Sequence, residues 1–202
     1  MRIVGGRYRG RRLLAPVRDT VRPTSDRARE ALFNILSHGQ LATDGIPFAG
    51  AAVLDAFAGT GALGLEALSR GAAEAVFIER DPEAVAVLRR NVATLGESAH
   101  SEIIPGDATR PPRARLKCAV VFIDPPYRSG LAAPALEALK HAGWLMPDAL
   151  AVVELGAREE LPPPAGFTLL NERVYGAARL VFLRRMGTLG PKLDTPRQGA
   201  SR

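Results

Sequence analysis

The chain has 202 residues, 47% of them hydrophobic and 24% charged, a formal net charge of +6 and a single cysteine. That length supports one sizeable core with an appendage, and the lone Cys118 excludes an intrachain disulfide framework, pointing to a reducing compartment. No apolar run approaches the roughly eighteen residues of a spanning helix, and the start has no signal-peptide core, so no membrane association and a cytoplasmic location are expected.

The charge is concentrated at the N-terminus, where residues 1–30 hold nine arginines against Asp19, Asp26 and Glu30. Arginine without lysine suits bidentate phosphate contact, so nucleic acid is the favoured partner; a solvated basic tail or a targeting peptide is the alternative. Within this arm, Gly5-Gly6 and Gly10 alternate with Ile3, Val4, Tyr8, Leu13 and Leu14, a pattern for two short strands around a turn. RPTSDRAREALFNILSH then reads as a helix. Thr24, Ser25 or Asp26 is its cap, and Ala28, Leu32, Ile35 and Leu36 share one face.

After a loop over 39–50, β-α units follow. Strands are expected at 53–57, 75–79, 102–105, 118–124 and 150–155, and helices at 63–70, 82–95 and 131–141. A last pair of strands, 168–174 and 179–184, turns through Tyr175-Gly176. The expected architecture is α/β, a mostly parallel sheet covered on both faces with an antiparallel edge added last. The division is an arm over 1–22, a main domain over 23–185 and a disordered tail over 186–202.

VLDAFAGTGALGLEAL places Gly59, Gly61 and Gly64 between a strand and a helix, a literal G-x-G-x-x-G. Glu79 closes the next strand, where a carboxylate accepts hydrogen bonds from ribose hydroxyls, so a nicotinamide dinucleotide is one reading. Asp55 argues against it, because an acid at the lip of the first strand repels a pyrophosphate. It favours a ligand with a cationic end, such as S-adenosylmethionine. Asp107, after the third strand, is suited to an adenine amino group. Asp55, Glu79, Asp107 and Asp124 follow four successive strands, the ends at which open α/β sheets bind ligands.

The fourth of these strands runs into Asp124-Pro125-Pro126-Tyr127. Neither proline donates a backbone hydrogen bond and each fixes its own φ, so the loop is stiff. The Asp124 carboxylate and the Pro125 carbonyl can accept from the N–H groups of a planar exocyclic amine and favour its pyramidalisation. Tyr127 can stack on the base that carries it. The N2 amine of guanine and the N6 amine of adenine satisfy this chemistry equally. His38, His100 and His141 are scattered, and no metal site is expected.

Four segments in this order, RIVGGRYRGRRL, RPTSDRAREALFNIL, LDAFAGTGALGLEALSRGA and DPPY, make residues 2 to about 184 resemble the bacterial small-subunit (16S) ribosomal RNA guanine-N2 methyltransferases, the RsmD family. The resemblance implies a Rossmann-like class I S-adenosylmethionine-dependent methyltransferase fold with an antiparallel last strand, preceded by a basic hairpin and a helix. It implies S-adenosylmethionine as cofactor, held by Asp55, Phe57, Gly59, Gly61, Glu79 and Asp107, and a target base bordered by Asp124, Pro125, Pro126 and Tyr127. Arg7, Arg9, Arg11, Arg12, Arg22, Thr24 and Arg27 are the candidate RNA contacts. The implied substrate is guanine in 16S ribosomal RNA, within the small subunit or its precursor, with the protein acting as a monomer. An adenine-N6 methyltransferase on RNA or DNA, a nicotinamide oxidoreductase and a non-catalytic RNA-binding module are the alternatives.

Overall fold

The computed structural model describes residues 1–15, 26–38 and 48–187. The cap positions of the first helix before Asp26, most of the loop after it, and the expected tail from residue 188 onward lie outside these residues. In chain order the elements are α1 (Asp26–His38), β1 (Ala52–Ala56), α2 (Ala62–Ser69), β2 (Glu74–Glu79), α3 (Pro82–Leu95), β3 (Ser101–Pro105), β4 (Cys118–Ile123), α4 (Ala132–His141), β5 (Leu145–Gly156), β6 (Phe167–Tyr175) and β7 (Ala178–Arg185).

The β-branched runs pair in the order β3-β2-β1-β4-β5-β7-β6. The first five are parallel neighbours, while β7 is antiparallel to both β5 and β6. One face of the sheet, carrying Val53, Phe77, Phe122, Val152 and Phe182, packs against Leu32, Phe33 and Leu36 of α1, Leu65 and Leu68 of α2 and Leu88 and Val92 of α3. The other, carrying Leu54, Ile78, Val121, Val153 and Leu183, packs against Leu136 and Leu139 of α4 and against Trp144. Burial on both faces is what an unalternating apolar strand requires. Among the described residues no helix is long and apolar enough to cross a membrane.

Two elements differ from the expectation. The fifth strand starts at Leu145, not 150, because the turn-like Met146-Pro147-Asp148 is absorbed as an irregularity: Cys118 pairs with Leu145 and Val120 with Leu150, and Asp148 takes φ +60°. The last strand in sequence is not the edge. β7 inserts between β5 and β6, since Leu180, Val181, Phe182 and Leu183 are buried on both faces, while β6 exposes most of its length and suits an edge.

The arm folds back as an irregular hairpin, closed by an antiparallel bridge between Arg2 and Arg12 and by Ile3 N–H donating to Arg11 O (2.9 Å) and Gly10 N–H to Ile3 O (2.9 Å). A single 3₁₀ turn, Gly6–Tyr8, forms its tip, and Ile3 and Leu13 enter the core shared with α1 and α2. It lies directly on the end of α2: Ser69 Oγ donates to Gly5 O (2.6 Å) and accepts from Tyr8 N–H (3.0 Å). Gly6 has φ +72°, and a Cβ there would stand 2.0 Å from the Ser69 carbonyl oxygen. Gly6→Ala therefore combines a left-handed backbone with a backbone collision. It is expected to lower the unfolding free energy by roughly 2–4 kcal/mol in urea titrations.

Candidate active site

The parallel register sets Ala56 beside both Ile78 and Ile123, and Ile123 beside Val153. The next residues, Phe57, Glu79, Asp124 and Glu154, thus come out in one row across four strand ends, with Asp55 one step inside. Asp55, Glu79 and Glu154 continue the alternation of Val53, Phe77 and Val152, the face that carries α1 to α3.

The loop from β1 into α2 is tightly wound, with Phe57, Gly59 and Gly61 at φ +61°, +53° and +79°. Its glycines have different roles. A Cβ on Gly61 would meet Leu88 Cδ1 at 2.2 Å, and one on Gly64 would meet Phe77 Cε1 at 2.4 Å, so both let α2 pack closely on β2 and α3. At Gly59 a Cβ would meet nothing within 4 Å. That position is the open cradle of the loop. Gly59 N–H donates to Glu79 Oε2 (2.7 Å) and Asp81 N–H to Glu79 Oε1 (2.8 Å), which fixes the Glu79 carboxylate beside the cradle.

Asp55 is buried and its Oδ2 accepts from Gly64 N–H (2.9 Å). Burial pushes its carboxyl up to about 8, with the charge of Glu79 adding to the rise and the Gly64 and Leu63 amides opposing it. A cationic group is what stabilises the ionised form of such a carboxyl, whereas a pyrophosphate would meet the charge of Glu79 and gain nothing from Asp55. Asp107, at the end of β3, is held the other way: Thr109 N–H and Oγ1 both donate to its Oδ1 at 2.8 Å and keep its carboxyl below the usual range, with Arg80 and Arg110 contributing.

On the far side of β1, Asp124 N–H donates to Ala56 O (3.4 Å), Pro125 is buried and Ser129 N–H donates to Pro126 O (3.2 Å), turning the loop back. Tyr127 is 43% exposed, and its hydroxyl donates to Oε1 of Glu154 (3.0 Å), which is 4% exposed. A cavity of about 350 Å³ on the α4 side of this loop is bordered by Pro125, Leu131, Leu155 and Leu161 and by Glu137 and Glu160. Its carboxylates make it unsuited to RNA phosphates. Among the described residues no three His, Cys, Asp or Glu side chains converge as metal ligands.

The arginines of the arm separate into two groups. Arg7 is engaged internally: its guanidinium pairs with the buried Glu97, which also accepts from Tyr8 Oη (2.5 Å), and it lies 4.9 Å from the Tyr8 ring centre. Arg11, itself exposed, donates to Thr94 O (3.2 Å); Arg9, Arg12 and Arg27 are exposed too, and Arg22 and Thr24 lie outside the described residues.

Sequence reasoning missed several buried polar residues, among them four that tie one element to another. Arg29, fully buried on α1, donates to Asp26 Oδ1 (2.8 Å) and Arg2 O (2.5 Å), and its Nε stands 4.0 Å from Glu66. Glu66 accepts from Val4 N–H (2.8 Å) and Arg70 Nε (2.7 Å). Asn91 Oδ1 accepts from Leu14 N–H (2.8 Å), while its Nδ2 donates to Leu14 O (3.1 Å) and Thr60 O (3.0 Å), tying the arm to the glycine loop. The fourth is Glu154, whose only signal is an acid inside the apolar run Ala149-Leu155.

The family described as Conserved hypothetical protein 95 matches residues 1–184. The Ribosomal RNA small subunit methyltransferase D of Escherichia coli (strain K12) is 41% identical over 178 residues, 87% of this chain and 85% of the relative. The chain belongs to this family, the RsmD family. Among solved structures of similar fold, the Escherichia coli protein yhhF is 39% identical, with a TM-score of 0.77 over 93% of this chain and 98% of that one. An RNA methyltransferase from Salinibacter ruber, in complex with S-adenosyl-L-homocysteine, is similar in fold at 16% identity, with a TM-score of 0.61 over 86% of this chain and 99% of that one. The family's fold, a Rossmann-like class I methyltransferase, is the one this sheet order describes.

For the Asp55 carboxyl the fold prefers the neutral acid. Its contribution to stability is therefore greatest below about pH 4 and is lost as the pH rises through about 8. Urea titrations from pH 4 to 9 are expected to show that decline in the parent, and a flatter profile in Asp55→Asn.

Proposed function

We propose that the protein transfers the methyl group of S-adenosylmethionine to the exocyclic N2 amine of a guanine in 16S ribosomal RNA, acting as a monomer on the small subunit or its precursor. The observation that best supports this reading is the pairing of Ala56 with Ile123: the glycine loop, with open space at Gly59, and the Asp124-Pro125-Pro126-Tyr127 loop leave neighbouring strands at the same level. Membership of the RsmD family supports the choice of guanine and of small-subunit RNA.

The residues present fit the cofactor. A buried carboxylate at Asp55 suits its cationic methionine end, the space at Gly59 admits it, Glu79 is fixed where it can accept from ribose hydroxyls, and Asp107 suits the adenine amine. When bound, S-adenosylmethionine supplies an electrophilic methyl group on a sulfonium. The protein's task is then to present the amine. The Asp124 carboxylate and the Pro125 carbonyl accept the N–H bonds of the base, draw the nitrogen lone pair out of ring conjugation and favour the positive charge that develops on it. The two prolines hold these acceptors without reorganisation, and Tyr127 offers a ring face to the unstacked base.

The test is transfer from labelled cofactor to small subunits lacking the modification, followed by mass spectrometry of the nucleosides. N2-methylguanosine at one site, with duplex DNA unlabelled, is the expected result; N6-methyladenosine or preferred labelling of DNA would overturn the assignment. In the same assay Asp124→Ala is expected to lose about a hundredfold or more of the transfer rate, while its affinity for S-adenosylhomocysteine stays near the parent's.

Arg9 and Arg12 are proposed to contact RNA phosphates, whereas Arg7, paired with the buried Glu97, holds the arm in place. Replacing Arg9 and Arg12 with alanine should weaken RNA binding and flatten its salt dependence by roughly one unit of slope for each phosphate no longer neutralised. Arg7→Ala should instead lower the melting temperature. An unchanged slope in the Arg9 and Arg12 variant would leave these two as solubilising charges.

A further inference from the structure

We infer that Glu154 is a positioning residue for the target base, acting through Tyr127. This rests on the reading of Tyr127 as the stacking surface proposed above.

Tyr127 stands on a turn, 43% exposed, and the next residue, Arg128, has φ +59°. An aromatic ring so exposed samples several rotamers and presents no defined face. Here its far end is fixed, because the hydroxyl donates to Glu154 Oε1 at 3.0 Å. The acceptor is a carboxylate 4% exposed on β5, set between Val153 and Leu155 and paired across the strands with Leu180. A hydrogen bond to an acceptor so shielded from water is electrostatically stronger than one in solvent, and it holds the hydroxyl to one partner.

The register explains why this bond matters to Asp124. Ile123 pairs with Val153, so the next residues bring Asp124, just past the end of β4, level with Glu154 inside β5. The turn after Pro126 carries Tyr127 back to the strand next to the one that delivers Asp124, and the hydrogen bond anchors it there. The ring is thus tied at both ends, by the proline-stiffened backbone and by its hydroxyl. It becomes a fixed wall beside the carboxylate and carbonyl that hold the amine. Neither Tyr127 nor Glu154 needs to touch the cofactor, so the effect belongs to base placement and to the rate of transfer.

The test combines single-turnover transfer to unmodified small subunits with a readout that does not depend on transfer. Glu154→Leu removes the acceptor without leaving a buried charge, Glu154→Gln keeps a carbonyl that still accepts from the hydroxyl, and Tyr127→Phe removes the donor. Expected is a loss of tenfold or more in rate for Glu154→Leu, with S-adenosylhomocysteine affinity within twofold of the parent and with Glu154→Gln restoring the rate to within about fivefold. The Tyr127→Phe/Glu154→Leu double variant should lose no more than the worse single one. The independent readout is fluorine NMR of protein containing 3-fluorotyrosine, with the Tyr127 line assigned by its absence in Tyr127→Phe. That line should report a fixed ring in the parent and in Glu154→Gln and an averaged ring in Glu154→Leu. Additive losses in the double variant, a Glu154→Leu rate within threefold of the parent, or an unchanged fluorine line would overturn the inference. Absence of any transfer by the parent protein would sink the functional reading and with it the positioning role, whereas the fluorine line would still decide whether Glu154 holds the ring.

Discussion

The candidate site depends on β1 being paired in parallel on both sides, with β2 on one and β4 on the other. From β1 the chain winds outward through β2 to β3, then returns to start again at β4 and continue to β5. The connections leaving β1 and β4 diverge, and a crevice opens at the carboxyl ends of those two strands. The glycine loop forms one bank and the Asp124–Tyr127 loop the other. A slip of one residue between β1 and β4 would turn every side chain of the slipped strand to the opposite face, so burial of Phe122 on one side and Val121 on the other also protects the geometry of the site.

The N-terminal arm belongs to the same body through buried polar contacts. Glu66 on α2 receives the Val4 amide and Arg70 and lies near Arg29, so that arm, α1 and α2 meet around one carboxylate. Such a node contributes little net stability, because desolvating its charges offsets much of their attraction, but removing one member leaves the others buried and uncompensated. Asn91 extends the connection, holding Leu14 of the arm and Thr60 of the glycine loop with one amide group. The basic arm and the crevice are held in register by these contacts, which places Arg9 and Arg12 on a fixed support.

Much of the fold was legible because its signals are local. The apolar run ending in Phe122-Ile123 was expected as a strand and the segment 82–95 as a helix, and the structure has β4 at Cys118–Ile123 and α3 at Pro82–Leu95. The expectation failed where a local signal pointed the wrong way. Met146-Pro147-Asp148 looks like a turn, yet the strand continues through it because β4 supplies partners on either side of the irregularity. The glycine motif was legible as a motif, but not the close packing behind it: a Cβ at Gly61 or Gly64 would collide with Leu88 or Phe77, while one at Gly59 would meet nothing within 4 Å.

By itself the sequence determined the succession of strands and helices, the four acids at strand ends, the stiffness of Asp124-Pro125-Pro126-Tyr127 and the concentration of arginine at the start. Each follows from φ restriction, side-chain period or charge within a few residues of chain. Only the tertiary structure decided that β7 lies inside β6, that Arg7 is tied to Glu97 while Arg9 and Arg12 face solvent, and that Glu154 holds Tyr127. In each of these the partner lies far along the chain or on another element, and a buried charge has no local signature. Its neighbours exist only once the sheet has closed around it.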